Sequence, residues 1–204
     1  MTGPNLVRIL GGLAAVLGGL LTMVASIVGW LVVDFENFAL AATTGTYIFV
    51  ALLFLLGAIL VLGGLVGLYA RQSEQAGSLG LVGFLVTFLG MALVVGVSWE
   101  RVFTEPALAR VAPELLAQDP PGWVNFGFIL TFALASVGWL LFGVATLRAG
   151  VYPRAAAILL IVGALISLAP LPFTEVILAV AIAWLGFDLF RGGGGSAERP
   201  SRVR

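Results

Sequence analysis

Residues 47–70 read YIFVALLFLLGAILVLGGLVGLYA and contain no charged side chain. About 20 consecutive apolar residues in a helix cross the ~30 Å hydrocarbon layer of a membrane. The stretch exceeds that length, and it contains no proline that would break a helix. It therefore predicts a transmembrane helix.

The composition of the whole chain supports the same conclusion. Hydrophobic residues make up 61% of the 204 residues and charged residues 10%, with a mean hydropathy of +1.15. Soluble domains carry roughly 25% charged residues because their surfaces face water. The formal net charge is zero, so no overall field attracts nucleic acid. The expected partner of most of the surface is the lipid bilayer.

Five further apolar stretches are long enough, or nearly so, to cross a bilayer. The fold class predicted is an all-α membrane protein, a six-transmembrane-helix bundle formed by residues 1–191. The predicted spans are 9–33, 47–70, 79–99, 124–147, 155–171 and 175–190. Pro170 and Pro172 predict a tight turn between the last two spans. Residues 192–204 are Gly-rich and then polar, which predicts a disordered tail.

Arginine positions set the predicted orientation. Arg101 and Arg110 would lie on the outer side, and all other arginines would lie on the side of the N-terminus. The positive-inside rule then places both termini in the cytoplasm. The chain has arginine but no lysine and is rich in Ala, Gly, Leu and Val, which we interpret as a high-GC bacterial composition. The predicted location is the inner (plasma) membrane, with multiple passes.

Segments near the helix ends resemble one another, which indicates an internal repeat. Residues 67–71, 143–148 and 186–191 each run from Gly to Arg, and residues 35–41, 103–109 and 173–179 each combine an initial Phe with a Glu and a final Ala. One hypothesis is three tandem helical hairpins. The alternative is that every transmembrane hairpin needs arginine inside and a turn outside.

The outer segment between the third and fourth spans predicts an amphipathic helix over residues 104–118. Thr104 would be its N-cap, with Glu105 and Pro106 in the first turn. The expected apolar stripe consists of Leu108, Val111, Ala112, Leu115 and Leu116. Pro113 predicts a kink or two shorter pieces. The segment could be a lid over an outward cavity or a helix lying on the bilayer surface.

Two groups of outer residues are candidates for a binding site. Glu36, Glu105 and Glu175 recur at the predicted outer mouth and could bind a hard cation, although acids at helix starts also complement the helix dipole. The cluster Trp99, Glu100 and Arg101 could hold a polar headgroup or substrate. It could equally be an interface anchor, as expected also for Trp30, Trp123, Tyr47 and Tyr152.

Small residues at intervals of four predict close helix packing. The positions are Gly11, Ala15 and Gly19 in the first span, and Gly63 and Gly67 in the second. Small-xxx-small faces let helix backbones approach closely in lipid. The sequence does not say whether the partner helix belongs to this chain, to a second copy or to another membrane subunit.

Several chemistries lack the residues they need. The chain has no Cys and no His, which excludes thiolate and imidazole metal sites and His-based catalysis, and we expect no cofactor. No charged residue lies at the middle of a predicted span, which disfavours ion-driven transport. Asp188 comes closest, about one turn from the cytoplasmic end beside Arg191.

Two functions remain from these observations, with an intramembrane enzyme acting on lipid as a third. The first is a non-enzymatic accessory or assembly subunit that acts through helix packing with other membrane subunits or a homo-oligomer. The second is a transporter or binding component for a neutral or lipophilic solute. A wide cavity between the hairpins would favour the second function, and a tightly packed bundle with an exposed Gly-rich groove the first.

Overall fold

A computed structural model describes residues 3–168 and 173–192, and these are helical without any strand. The helices are α1 (Gly3–Val32), α2 (Phe38–Ala41), α3 (Gly45–Val111), α4 (Pro113–Leu116), α5 (Gly122–Ala149), α6 (Arg154–Ile166) and α7 (Thr174–Arg191). The predicted turn at Pro170 and Pro172 and the tail after Gly192 lie outside the described residues.

Three of the described helices are long and apolar enough to cross a membrane. They cover Asn5–Val32, Gly45–Val111 and Gly122–Ala149, and Arg154–Ile166 is a shorter apolar helix. Large apolar side chains are exposed along them, such as Leu31, Leu56, Leu85 and Ile129. Exposed apolar surface of this extent is costly in water and ordinary in lipid. The prediction of an all-helical membrane protein is confirmed at this level.

Helix α3 is a helical hairpin rather than one straight rod. Gly77 interrupts it with φ 56° and ψ −151°, a backbone conformation that only glycine adopts without strain. The two arms, residues 45–76 and 78–111, fold back on each other. Tyr69 stacks on Phe84 next to the bend with ring centroids 4.5 Å apart, and the Tyr47 hydroxyl donates a hydrogen bond to Glu105 at the far end.

The second arm corrects the prediction for the outer segment. The helix does not end at Trp99 but continues to Val111, so Thr104 lies inside a helix and is no N-cap. Its buried face repeats at helical spacing through Val102, Pro106 and Ala109, and this face packs near the start of the first arm. Of the predicted stripe, Leu108, Ala112 and Leu116 are half-buried, whereas Val111 and Leu115 are exposed.

Pro113 breaks the helix and so separates two pieces, which is one of the two outcomes predicted from the sequence. Ala112 leaves helical geometry, and the short helix α4 begins at Pro113. A proline fits the first position of a helix because its missing N–H would have no partner there.

Backbone contacts arrange six helical rods in a closed ring. Neighbours run antiparallel: Gly11 of α1 meets Gly67 of the first arm, and Gly12 meets Phe190 of α7. The second arm packs against α5, where Gly83 contacts Phe142. Helix α6 lies between α5 and α7: Gly143 of α5 contacts Ile161 of α6, and Gly163 of α6 contacts Leu178 of α7. The buried core includes Leu65, Trp139, Phe142, Leu160 and Leu185. The tandem-repeat hypothesis is compatible with this pairing and stays a prediction.

The predicted small-residue faces are mostly used inside the chain. A methyl group on Gly67 would lie 2.7 Å from the Cα atom of Gly11, and one on Gly64 would lie 2.7 Å from the Cα atom of Ala15. Gly19 packs on the backbone of Ala179 in α7. Gly63 differs from the prediction: it is exposed, and Gly64 takes the close contact instead.

One end of the ring, here called the arginine end, is held together by Arg71. Its guanidinium donates to Asp188 at 2.8 Å and to the carbonyl oxygen of Val151 at 3.1 Å, and it lies 4.5 Å from the centre of the Tyr152 ring. Tyr152 donates to the Leu68 carbonyl oxygen, and its burial raises the pKa of the phenol. Asp188 was expected beside Arg191 but pairs with Arg71.

The close helix contacts generate a stability prediction for Gly138→Ala. The added methyl group would lie 2.5 Å from the Cα and N atoms of Thr87, so the second arm and α5 must separate. We expect a loss of about 1–3 kcal/mol of unfolding free energy, typical of overpacking. Thermal unfolding in detergent, followed by circular dichroism, measures it.

The matched control is Gly127→Ala in the same helix, where nothing lies within 4 Å of the added group. Alanine is favoured over glycine in a helix by roughly 1 kcal/mol, so this variant should be as stable as the parent or more so. Equal midpoints for the two variants would contradict the packing described here.

Candidate functional site

Two adjoining cavities lie inside the ring, toward the end opposite Arg71. We call this the carboxylate end because Glu105 and Glu175 lie there. The first cavity, about 110 Å³, is called the apolar cavity, and the second, about 230 Å³, the aromatic cavity. Three residues line both of them: Phe54, Arg101 and Glu175. The cavities therefore meet at one charged junction.

Five of the six rods line the apolar cavity, and Ser167, directly after α6, completes its wall. Its wall is mainly aliphatic and aromatic, with Val61, Met91, Phe132, Trp139 and Ile182 among its residues. Apart from Arg101 and Glu175 at the junction, the polar groups in the wall are hydroxyls, and those of three serines have hydrogen-bond partners. Ser98 donates to the Val94 carbonyl oxygen at 2.8 Å, and the Ser136 and Ser167 oxygens lie 3.2 Å apart. This wall suits a hydrocarbon chain.

The aromatic cavity is built where the chain leaves α1 and turns back into α3. Five aromatic side chains line it, namely Trp30, Phe35, Phe38, Tyr47 and Phe54. Phe38 meets Tyr47 edge-to-face at 5.6 Å between centroids, and Trp30 packs against Phe35 at 5.1 Å. Edge-to-face and offset contacts of this kind hold aromatic rings in fixed orientations.

Asp34 fixes the turn that carries two of these rings. Its carboxylate accepts hydrogen bonds from the backbone N–H groups of Glu36 and Asn37 and from the Asn37 side-chain amide at 2.9 Å. The Asn37 amide, then the Asn37 backbone N–H, holds the pKa of Asp34 below its usual value. The turn brings Phe35 and Phe38 to the cavity wall.

The charges at the junction are unequal in number. Arg101 and Glu175 border both cavities, and Glu105 borders the aromatic cavity, where Tyr47 donates to it. Among the described residues, Arg101 and Glu175 have no ion-pair partner within 4.0 Å, although the Arg101 charge acts on Glu175 electrostatically. The aromatic cavity therefore carries two carboxylates and one guanidinium.

The predicted site residues separate into two sets. Glu105 and Glu175 from the predicted carboxylate group and Arg101 from the predicted Trp99–Arg101 cluster all line the aromatic cavity. Glu36 is exposed and lines neither cavity. Trp99 packs against Phe103 with ring centroids 4.3 Å apart, and both Trp99 and Glu100 lie outside the two cavity walls. Residues 3–168 and 173–192 hold no group of three acidic side chains arranged to bind a metal ion.

Sequence reasoning missed most of the aromatic wall. Trp30 and Tyr47 were expected at the membrane interface, yet Tyr47 is only 7% exposed. Tyr152 was expected there as well and is 5% exposed at the arginine end. A buried Tyr needs a partner for its hydroxyl, and the local sequence gives no sign of one 58 residues away.

The Ser26 hydroxyl is unusual because it is buried without a hydrogen bond to any described residue. It is 3% exposed and lines the aromatic cavity, and its Oγ atom has no hydrogen-bond partner among the described residues. An unsatisfied buried hydroxyl costs about 1–3 kcal/mol. A buried unpaired group in a cavity wall calls for an explanation, and a bound polar group is one that the cavity has room for.

No protein-family model matches the sequence, and no curated protein or solved structure is significantly similar to it. The residues that line the two cavities are therefore the basis for inferring a function.

The unpaired hydroxyl of Ser26 leads to a stability prediction for Ser26→Ala. Because the hydroxyl has no partner within the described protein, its removal should leave the unfolding free energy unchanged or raise it by up to about 1 kcal/mol. Ser98→Ala is the control, because it removes a buried hydroxyl that donates a hydrogen bond to the Val94 carbonyl oxygen. Thermal midpoints in detergent compare the two. A clear fall for Ser26→Ala would show that its hydroxyl has a partner after all.

Proposed function

We propose that this protein crosses the membrane six times and binds a lipophilic small molecule in the two adjoining cavities. The observation that carries the proposal is the closed ring of six antiparallel rods around an apolar cavity, with a charged junction at one end. Ligand pockets are mostly apolar with a few placed polar groups, and this cavity fits that description.

The count of six crossings is supported by the geometry of α3. Its two arms each exceed the ~20 residues that a crossing needs, and Gly77 reverses the chain between them. Helices α6 and α7 are shorter, but α6 packs between α5 and α7. A thinner bilayer locally, or flanking residues, accommodates short helices at modest cost.

The orientation is supported by the distribution of charge. Arg71, Arg148 and Arg154 lie at the arginine end, where the guanidinium of Arg8 also approaches Gly192. The positive-inside rule assigns this end to the cytoplasm and opens the cavities toward the outer leaflet. We propose a bacterial inner membrane as the location.

The packing favours ligand binding over the accessory-subunit hypothesis. A subunit that acts through small-residue faces would present them to a partner. Here Gly11, Ala15, Gly19 and Gly67 are in contact with other helices of the same chain. Binding to other membrane subunits or a second copy stays a prediction without a specific surface to carry it.

The six-crossing topology is testable by cysteine labelling, because the chain has no native Cys. Single substitutions Glu114→Cys and Ser78→Cys place an exposed thiol in the α4 region and beside the bend of α3. A membrane-impermeant maleimide should label Glu114→Cys in intact cells and Ser78→Cys only after permeabilisation. Labelling of both thiols from the same side would overturn the topology.

The binding proposal is testable by closing the apolar cavity with Val97→Trp. Val97 lines that cavity and is half-buried, so the larger side chain can turn into it. Native mass spectrometry with dodecanol as a neutral probe should show one bound molecule on the parent protein and at least tenfold less on the variant. Val82→Trp, on the exposed surface of the same arm, is the control and should bind as the parent does. No dodecanol on the parent protein would refute the function.

A further inference from the structure

We propose that the aromatic cavity binds the substituted ammonium group of an amphiphile whose hydrocarbon chain begins in the apolar cavity and continues out of it. The inference rests on the proposed function and names the chemical class of its ligand. Aromatic rings around a cavity attract organic cations through the negative faces of their π-systems. Carboxylates near the rings supply the compensating charge.

The wall composition supports a cation that is weakly hydrated. Trp30 and Tyr47 come from different helices, and three phenylalanines complete the wall between them. A small hydrated metal ion would need several oxygen ligands, and phenylalanine provides none. An alkylated ammonium group has an apolar surface and a positive charge, and both match this wall.

The charge of the wall determines the sign of the ligand. Glu105 and Glu175 give the aromatic cavity two formal negative charges against the single positive charge of Arg101. An anionic headgroup would be repelled by two carboxylates, and a neutral one would leave one of the two carboxylates without a counter-charge. One added positive charge balances the lining.

Ser26 gives an independent indication of a polar ligand. Its buried Oγ atom lines the same cavity and lacks a partner among residues 3–168 and 173–192. A ligand oxygen or N–H group beside the ammonium would satisfy that hydroxyl. The cost of leaving it unpaired is then recovered when the ligand binds.

The junction of the two cavities sets how the ligand lies. Phe54, Arg101 and Glu175 line both cavities, so a molecule can extend from one into the other. A headgroup in the aromatic cavity would place its chain beside Met91 and Ile182. Arg101 at the junction leaves two sources of the ammonium group: a simple alkylammonium ion, or a zwitterionic head whose phosphate Arg101 would bind.

The first experiment compares dodecyltrimethylammonium with dodecanol by native mass spectrometry of the full chain in maltoside micelles. The parent protein should prefer the ammonium probe at least tenfold. Glu175→Gln should remove most of that preference and leave dodecanol binding intact. Glu114→Gln, an exposed carboxylate outside both cavities, is the matched control and should behave as the parent does.

Two results would overturn the inference. One is equal binding of dodecyltrimethylammonium and dodecanol by the parent protein, and the other is an unchanged preference in Glu175→Gln. Dodecanol binding in those cases leaves the proposed function standing, whereas failure of both probes on the parent protein refutes the function itself. Thermal midpoints of each variant establish that the fold is intact.

A second variant, Arg101→Gln, distinguishes the two sources of the ammonium group. If the natural head is zwitterionic, the variant should lose at least tenfold in affinity for dodecylphosphocholine and gain affinity for dodecyltrimethylammonium. If the natural ligand is a simple cation, both probes should bind more tightly to the variant, because a positive charge is removed from the junction.

Discussion

Close approach of helix backbones through glycine and alanine is the constraint on which this structure depends. In lipid, apolar side chains gain little by leaving the solvent, so helices associate through contact between backbones. Gly11 with Gly67, Gly64 with Ala15, and Gly138 with Thr87 bring their helices to distances that a single added methyl group would exceed. Such contacts join α1 to the first arm and to α7, the second arm to α5, and α6 to α7.

The cavities lie where these contacts give way to larger side chains. Along α1, close packing against the first arm covers Gly11, Gly18 and Thr22, whereas Gly29 meets only the side chain of Val50 at 3.3 Å. Beyond Thr22, the rings of Trp30 and Phe54 line the aromatic cavity. Large side chains with fixed orientations leave space between them that small ones would close. The site is thus a consequence of how residue size is distributed along the helices.

The charged side chains at the two ends of the ring differ in their partners. At the arginine end, Arg71 has a carboxylate, a carbonyl oxygen and an aromatic ring as partners, and the loop at Tyr152 closes over it. At the carboxylate end, Arg101 and Glu175 border open space and have no ion-pair partner within 4.0 Å in the described chain. Satisfied charges hold a structure together, whereas charges beside a cavity are available to a ligand.

The sequence by itself determined the class of fold and much of the helix positions, because apolar length and helical period are local properties of residues 9–33, 47–70 and 124–147. It also predicted that Arg101, Glu105 and Glu175 lie on the same, outer side of the bundle, because each is close to the end of a predicted span. Only the tertiary structure decided that α3 continues past Trp99, that Asp188 pairs with Arg71 rather than lying beside Arg191, and that Trp30 and Tyr47 face a cavity. Those outcomes depend on contacts between residues far apart in the chain, and such contacts leave no periodic signal in the sequence.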